Sequence, residues 1–196
     1  MQHLGTKTLE TKRIILRKIT QNDYKAMYIN WASLEECSKF FPWSTVTDIE
    51  IYRERVSSWI SNYGNGLYFN WLMELTETGE VIGIINLHNV EEAEASAETS
   101  YILAPKYWNK GLMTEGLSRV LQYAFEELGL NRVRADVFRG NVASEKVLLK
   151  CGMQKEGIAR AEYYKGGVYI DSIQYGVSRT AWSNFKEKVM QKKLYL

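Results

Sequence analysis

The segment Tyr107-Trp108-Asn109-Lys110-Gly111-Leu112-Met113-Thr114-Glu115 carries the strongest chemical signal in the chain. A strand-like run ending at Leu103 precedes it, and an amphipathic run over 112–128 follows it. Pro105 stops the strand, and Gly111 lets the backbone turn where a side chain would obstruct it. A helix that opens this way aims unpaired backbone N–H groups, and the positive end of its dipole, at one spot. Phosphate suits that spot, and pyrophosphate above all. Neither Gly-x-Gly-x-x-Gly nor Gly-x-x-x-x-Gly-Lys-Ser/Thr is present in the segment, which argues against a dinucleotide fingerprint and a P-loop. The expectation is a phosphorylated cofactor held at the start of this helix.

The segment resembles the acetyl-CoA pyrophosphate loop of the GNAT N-acetyltransferase superfamily. It is most similar to the RimJ/RimL ribosomal-protein acetyltransferase subgroup, whose pattern is Trp-Gly-Lys-Gly-Leu-Ala-Thr-Glu-Ala. Trp108, Lys110, Gly111, Leu112, Thr114 and Glu115 match, whereas Asn109, Met113 and Gly116 depart from it. Asn tolerates left-handed backbone angles better than most residues, so the turn survives Asn109. Three further stretches extend the resemblance over roughly residues 9–182. Residues 9–27 look like the subgroup's opening strand and helix, with Asn22 and Asp23 as helix starters. Asn141 to Met153 resembles its second cofactor segment, Asn-x-x-Ser followed by a short helix and Lys-x-Gly-Phe. Residues 162–177 look like its closing hairpin, where Gly166-Gly167 is a turn signal and Asp171 and Tyr175 fit the last strand.

The resemblance implies acyl transfer from acetyl-CoA to a primary amine, with no metal and by direct attack. It implies cofactor contacts from Ile102, Leu103 and Ala104 at the strand end and from Trp108, Asn109, Lys110, Gly111, Leu112, Met113 and Thr114 in the loop. Asn141, Ser144 and Lys150 complete that set. An attacking amine must be neutral, because an ammonium has no lone pair. Alkyl amines are mostly protonated at neutral pH, so a carboxylate must take the proton. The oxyanion needs a backbone N–H, expected near Leu103. Glu98, on the strand leading to the loop, and Glu162, in a Glu-Tyr pair, compete for the base. By the same resemblance, Ser144 would supply a catalytic hydroxyl, and His88 is a further proton-relay candidate. Many family members carry a Tyr in the second cofactor helix that protonates the leaving thiolate; Leu148 stands at the matching position.

The acceptor is expected to be a protein N-terminal amine or a small-molecule amine. The Phe40-Phe41-Pro42-Trp43 run, read as a loop, could line its groove. A non-catalytic acyl-CoA-binding regulatory or assembly module is the alternative. Acetyl transfer distinguishes the two readings; binding does not.

Bulk properties agree with a cytoplasmic enzyme. A chain of 196 residues is one generous domain, and residues 1–196 read as a single unit without repeat or linker. Two cysteines, Cys37 and Cys151, offer no disulfide framework and no metal-ligand spacing. No apolar run is long enough for a membrane span, and a net charge of +2 gives no reason to bind nucleic acid. A homodimer is allowed.

The fold expected is α/β (α+β), a mixed, mostly antiparallel sheet of about seven strands flanked by helices. Periodicity places strands at 12–19, 67–75, 80–88, 95–103, 132–138, 154–164 and 168–177, and helices at 22–33, 48–63, 112–128, 142–151 and 180–192. Thr47-x-x-Glu50 reads as a capping box for the second helix. By resemblance, the cofactor enters where two central parallel strands splay apart.

Overall fold

The computed structural model describes residues 1–194. Val, Ile, Leu, Phe, Trp and Met crowd residues 69–75 and 81–87, the composition of strands buried on both faces. These strands lie near the middle of one eight-stranded sheet of order β1-β2-β3-β4-β5-β6-β8-β7. In chain order they are β1 (Leu9–Glu10), β2 (Ile14–Arg17), β3 (Phe69–Leu75), β4 (Val81–Glu91), β5 (Ser96–Leu103), β6 (Arg132–Phe138), β7 (Gln154–Lys165) and β8 (Val168–Ser178). Every neighbouring pair is antiparallel except β5–β6. All seven expected strands are present, and the short edge strand β1 makes the eighth. Gly166 and Gly167, at φ 60° and 84°, form the tight turn between β7 and β8.

The helices are α1 (Tyr24–Met27), α2 (Glu35–Ser38), α3 (Ile49–Ser61), α4 (Leu112–Gln122), α5 (Val142–Lys150) and α6 (Arg179–Leu194). The continuous helix expected over 22–33 is instead a 3₁₀ turn (Gln21–Asp23), then α1, then a π turn (Tyr28–Ala32). The run opens at Thr20, whose N–H donates to the Asp23 carboxylate at 2.7 Å, and Asp23 stands at the N-cap of α1, as a helix starter should; Asn22 lies inside the 3₁₀ turn. Burial alone would raise the Asp23 carboxyl, but the Arg17 guanidinium and Thr20 outweigh it and hold the pKa below its ordinary value. The cap of α3 is shifted. Asp48, not Thr47, accepts from the Glu50 N–H at 2.8 Å, and Asp ranks among the strongest N-caps.

Helix α4 lies close against the sheet, burying Leu117, Val120 and Leu121 completely. Gly116 explains its own departure from the Ala of the resembling pattern. A Cβ there would sit 3.0 Å from both Met73 Cε and Ile85 Cδ1, so glycine lets the helix approach these side chains without displacing their tips.

The parallel pair positions the site. β5 and β6 are in register only from Ser96↔Arg132 to Glu98↔Arg134. Both strands then continue, β5 to Leu103 and β6 to Phe138, with no pairing between them. Beyond Glu98, β5 therefore turns an unpaired edge toward β6, and the sheet opens there. Among the described residues, no helix is long and apolar enough to cross a membrane.

Candidate active site

A cavity of about 490 Å³ runs through this opening, from the start of α4 to α2 and the loop after it. At one end lies the turn into α4. Gly111 is left-handed at φ 74°, and Asn109 at φ 61° shares that conformation. Asn109 thus takes the backbone shape usually reserved for glycine, as its side chain allows. The turn is braced from the opposite edge of the sheet. Arg13 pairs with Glu115 at 2.6 Å and donates to the Lys110 carbonyl at 3.1 Å, and Thr11 donates to Glu115 at 2.8 Å. Trp108 Nε1 donates to the Leu103 carbonyl at 2.7 Å, tying the turn to the end of β5.

Of the expected cofactor residues, Ile102, Leu103, Trp108, Asn109, Gly111, Leu112, Met113, Thr114, Asn141, Ser144 and Lys150 line the cavity. Ala104 and Lys110 do not. Ala104 is 3% exposed, and its N–H is committed to Ile82. Lys110 lays its ammonium over the Tyr107 ring, 5.1 Å from the centroid, and offers its carbonyl to Arg13.

α5 forms a second wall. Asn141 caps it, accepting from the Ser144 N–H at 3.2 Å. The Ser144 hydroxyl meets the Tyr101 hydroxyl at 2.8 Å. Leu148 is fully buried and does not line the cavity, so the position that carries a Tyr in many family members faces the core here. Tyr101, which comes from β5, was not singled out by sequence patterns. Burial raises its pKa and the Ser144 hydrogen bond opposes that shift, so it stays a neutral O–H.

Along β5 and β6, alternate residues share a face. Glu98, Ser100 and Ile102 lie on the face that carries Arg134 and Asp136; Tyr101 and Leu103 lie on the other, with α5. Glu98 is engaged twice, with Arg134 Nη2 at 3.2 Å and Asn89 Nδ2 at 3.0 Å, and it does not line the cavity. His88 stands 3.9 Å from the same carboxylate, also outside the wall. Glu162 accepts from the Ser172 hydroxyl and likewise stands off the wall. The cavity carboxylates are Asp136 and Glu36, neither of which stood out in the sequence. Asp136 looked like one more polar residue on a half-buried strand. Only the register of β5 against β6 puts it at the opening.

At the far end, Phe40 and Phe41 line the cavity, as their loop position suggested. Trp43 stacks on Phe41 with ring centroids 4.3 Å apart. Lys165, on the β7–β8 hairpin, holds this loop. Its ammonium donates to the carbonyls of Ser38 at 2.6 Å, Phe41 at 2.7 Å and Trp43 at 3.0 Å. A Lys165→Met variant removes all three donors while keeping the stem. It is expected to speed amide exchange across residues 38–45 and raise the KM for the acceptor about threefold to tenfold, on the scale of losing charge-assisted hydrogen bonds. An unchanged acceptor KM with unchanged exchange would contradict that role.

Both cysteines are buried and free of any disulfide. Burial, with Glu36 adding to it, pushes the Cys37 thiol up to about 12, so it is no nucleophile at neutral pH although it borders the cavity.

Comparison with known proteins agrees with this geometry. A family described as Acetyltransferase (GNAT) domain matches residues 13–154. YoaA of Bacillus subtilis (strain 168), an uncharacterized N-acetyltransferase, is 34% identical over 169 residues, covering 86% of this chain and 95% of its own length. The ribosomal protein uS5-alanine N-acetyltransferase of Escherichia coli (strain K12) is 26% identical over 183 residues, covering 89% of this chain and 92% of its own. The crystal structure of a GNAT-family acetyltransferase from Bacillus anthracis superposes with a TM-score of 0.80 at 26% identity, covering 89% of this chain and 99% of that one.

Proposed function

Since this chain belongs to the GNAT acetyltransferase family and is an acetyl-CoA-dependent N-acetyltransferase, we propose that it acetylates a primary amine, either a protein N-terminus or a small amine, within the cavity between β5 and β6. Family membership favours this reading over a non-catalytic acyl-CoA-binding module, and acetyl transfer is the test that separates them. The observation that carries the reading is continuity: one cavity joins the turn at Gly111 to the aromatic loop at Phe40 and Phe41, passing Tyr101, Ser144 and Asp136. The likeness to a ribosomal protein uS5-alanine acetyltransferase supports a protein N-terminus as acceptor.

The donor set fits acetyl-CoA. The left-handed turn at Asn109 and Gly111 leads into α4, whose first N–H groups suit a pyrophosphate. Lys146 and Lys150 on α5 bring positive charge to the cavity wall for phosphate. The open edge of β5 over residues 99–103 offers backbone hydrogen bonds to an extended arm and to a developing oxyanion. When bound, acetyl-CoA supplies an activated acyl group on a thioester. Ser144, oriented by Tyr101, provides the hydroxyl for the leaving thiolate, and a carboxylate on the sheet takes the proton from the amine. Phe40, Phe41 and the Lys165 clamp shape the acceptor entrance and keep water out.

The test measures thiol release from acetyl-CoA with an alanine-initiated peptide and with 1,4-diaminobutane. If a protein N-terminus is the acceptor, kcat/KM rises with pH and levels near about 8, the ordinary α-amino value; an alkyl amine keeps gaining toward about 10. Turnover of neither amine, with acetyl-CoA bound, would count against both acceptor classes.

A further inference from the structure

We infer that Asp136 is the general base of this enzyme, a reading that rests on the acetyltransferase assignment. Three carboxylates share the face of the sheet where an amine would approach, and their surroundings separate them. Glu98 has one oxygen on Arg134 and the other on Asn89, with His88 beside it. A proton accepted there would have to displace an ion pair. Glu162 is occupied by the Ser172 hydroxyl and does not line the cavity. Asp136 lines the cavity itself, two residues beyond the last β5–β6 pair, where the sheet has opened. Among the described residues it makes no ion pair and no side-chain hydrogen bond, so its lone pairs are available to a substrate.

The groups facing Asp136 are Arg134 on its own strand, Glu98 on β5, and Glu162 and Tyr163 on β7. Partial burial, then the charges of Glu162 and Glu98, raise the Asp136 carboxyl above its ordinary value, while Arg134 opposes them. Tyr163, pushed up to about 12 by burial and by these three carboxylates, stays neutral. The two engaged carboxylates thus serve the third. They keep Asp136 a stronger base than an isolated aspartate, closer in proton affinity to the amine it must deprotonate. As the amine nitrogen bonds to the acyl carbon and the C–S bond breaks, Asp136 takes the N–H proton and later releases it to solvent, while the Ser144 hydroxyl, backed by Tyr101, hydrogen-bonds the departing thiolate, which takes its proton from water. No oxidant or metal enters the balance.

The experiment compares Asp136→Asn, Glu162→Gln and Glu98→Gln in the full chain, with Glu92→Gln, an exposed residue paired to His3, as control. Thiol release is followed against pH with the alanine-initiated peptide, with 1,4-diaminobutane, and without amine, where water attacks and needs the same base. Asp136→Asn is expected to lower kcat by about 10²–10⁴, the usual contribution of a general base, with acetyl-CoA affinity retained by calorimetry. It should also abolish the acidic limb of the pH profile. Glu162→Gln removes a negative neighbour, so its limb should move to lower pH while persisting. Glu92→Gln should match the parent. Asp136→Asn within about threefold of the parent, with the limb intact, would overturn the assignment while leaving the acetyltransferase reading standing. A parent enzyme that binds acetyl-CoA but releases no thiol to either amine or to water would overturn both.

Discussion

Gly83→Val is expected to destabilise the protein by at least ~2 kcal/mol, the range for forcing bulk into a packed interior. Gly83 sits on β4 opposite Leu103, and an added Cβ would fall 2.4 Å from the Ile102 carbonyl oxygen and 3.3 Å from Leu103 Cα. Backbone atoms cannot swing aside as a side-chain tip can. The relief available is for β4 and β5 to part, and β5 has little to hold it: past Glu98 it has no partner on the β6 side. The displaced segment also carries Ile102 and Leu103, both of which line the cavity. Stability and acetyl-CoA affinity should therefore fall together. Denaturant midpoints for Gly83→Ala and Gly83→Val, each with an acetyl-CoA titration, check this. A midpoint shift worth less than about 0.5 kcal/mol, as for an ordinary surface substitution, would contradict it.

Gly111→Val is expected to weaken acetyl-CoA binding about tenfold or more, since a β-branched residue in the left-handed region carries about 1–3 kcal/mol of strain. Space is not the issue: a Cβ at Gly111 meets nothing nearer than Arg13 Nη2 at 3.8 Å. The penalty lies in φ, which is 74°. The turn can relieve it only by rotating its peptide groups, and with them the N–H groups that open α4. Asparagine accepts this conformation, as Asn109 shows two residues earlier, so Gly111→Asn should bind acetyl-CoA much more tightly than Gly111→Val. Equal affinities for the two variants, measured by calorimetry, would mean that the turn's backbone shape does not matter to the ligand.

The turn and its helix were legible from residues 105–115 and the run that follows because local chemistry decides them: one proline, one glycine, one asparagine and an amphipathic stretch. The closing hairpin was legible for the same reason, with Gly166-Gly167 meeting a two-residue turn's demand for positive φ. What escaped depends on distant contacts. The helix over 22–33 breaks into three helical types, and its start is fixed from outside by the Arg17–Asp23 pair and the Thr20 cap. Glu98 reads as a well-placed strand carboxylate until the register sets it beside Arg134. Asp136 reads as an ordinary polar position until the strands separate next to it. Lys165 and the loop it clamps lie more than 120 residues apart in the chain, beyond any local pattern.

The sharpest departure concerns the thiolate's proton. The helix position that holds a Tyr in many family members is a buried leucine here, Leu148, while a tyrosine from β5 reaches the same helix and bonds Ser144 at 2.8 Å. On the function proposed above, this hydroxyl pair on two elements takes the place of that side chain. That arrangement also makes Ser144 dependent on the geometry of β5, and so on Gly83.

On the proposed function, the cavity between β5 and β6 holds acetyl-CoA with its phosphates at the turn into α4. In a crystal structure with CoA bound, the pyrophosphate is expected on the backbone N–H groups of residues 109–114, the pantetheine arm along the open edge of β5, and the thiol beside Ser144, on the path to Asp136. A CoA molecule bound outside this opening, or one whose thiol points away from Ser144 and Asp136, would contradict it.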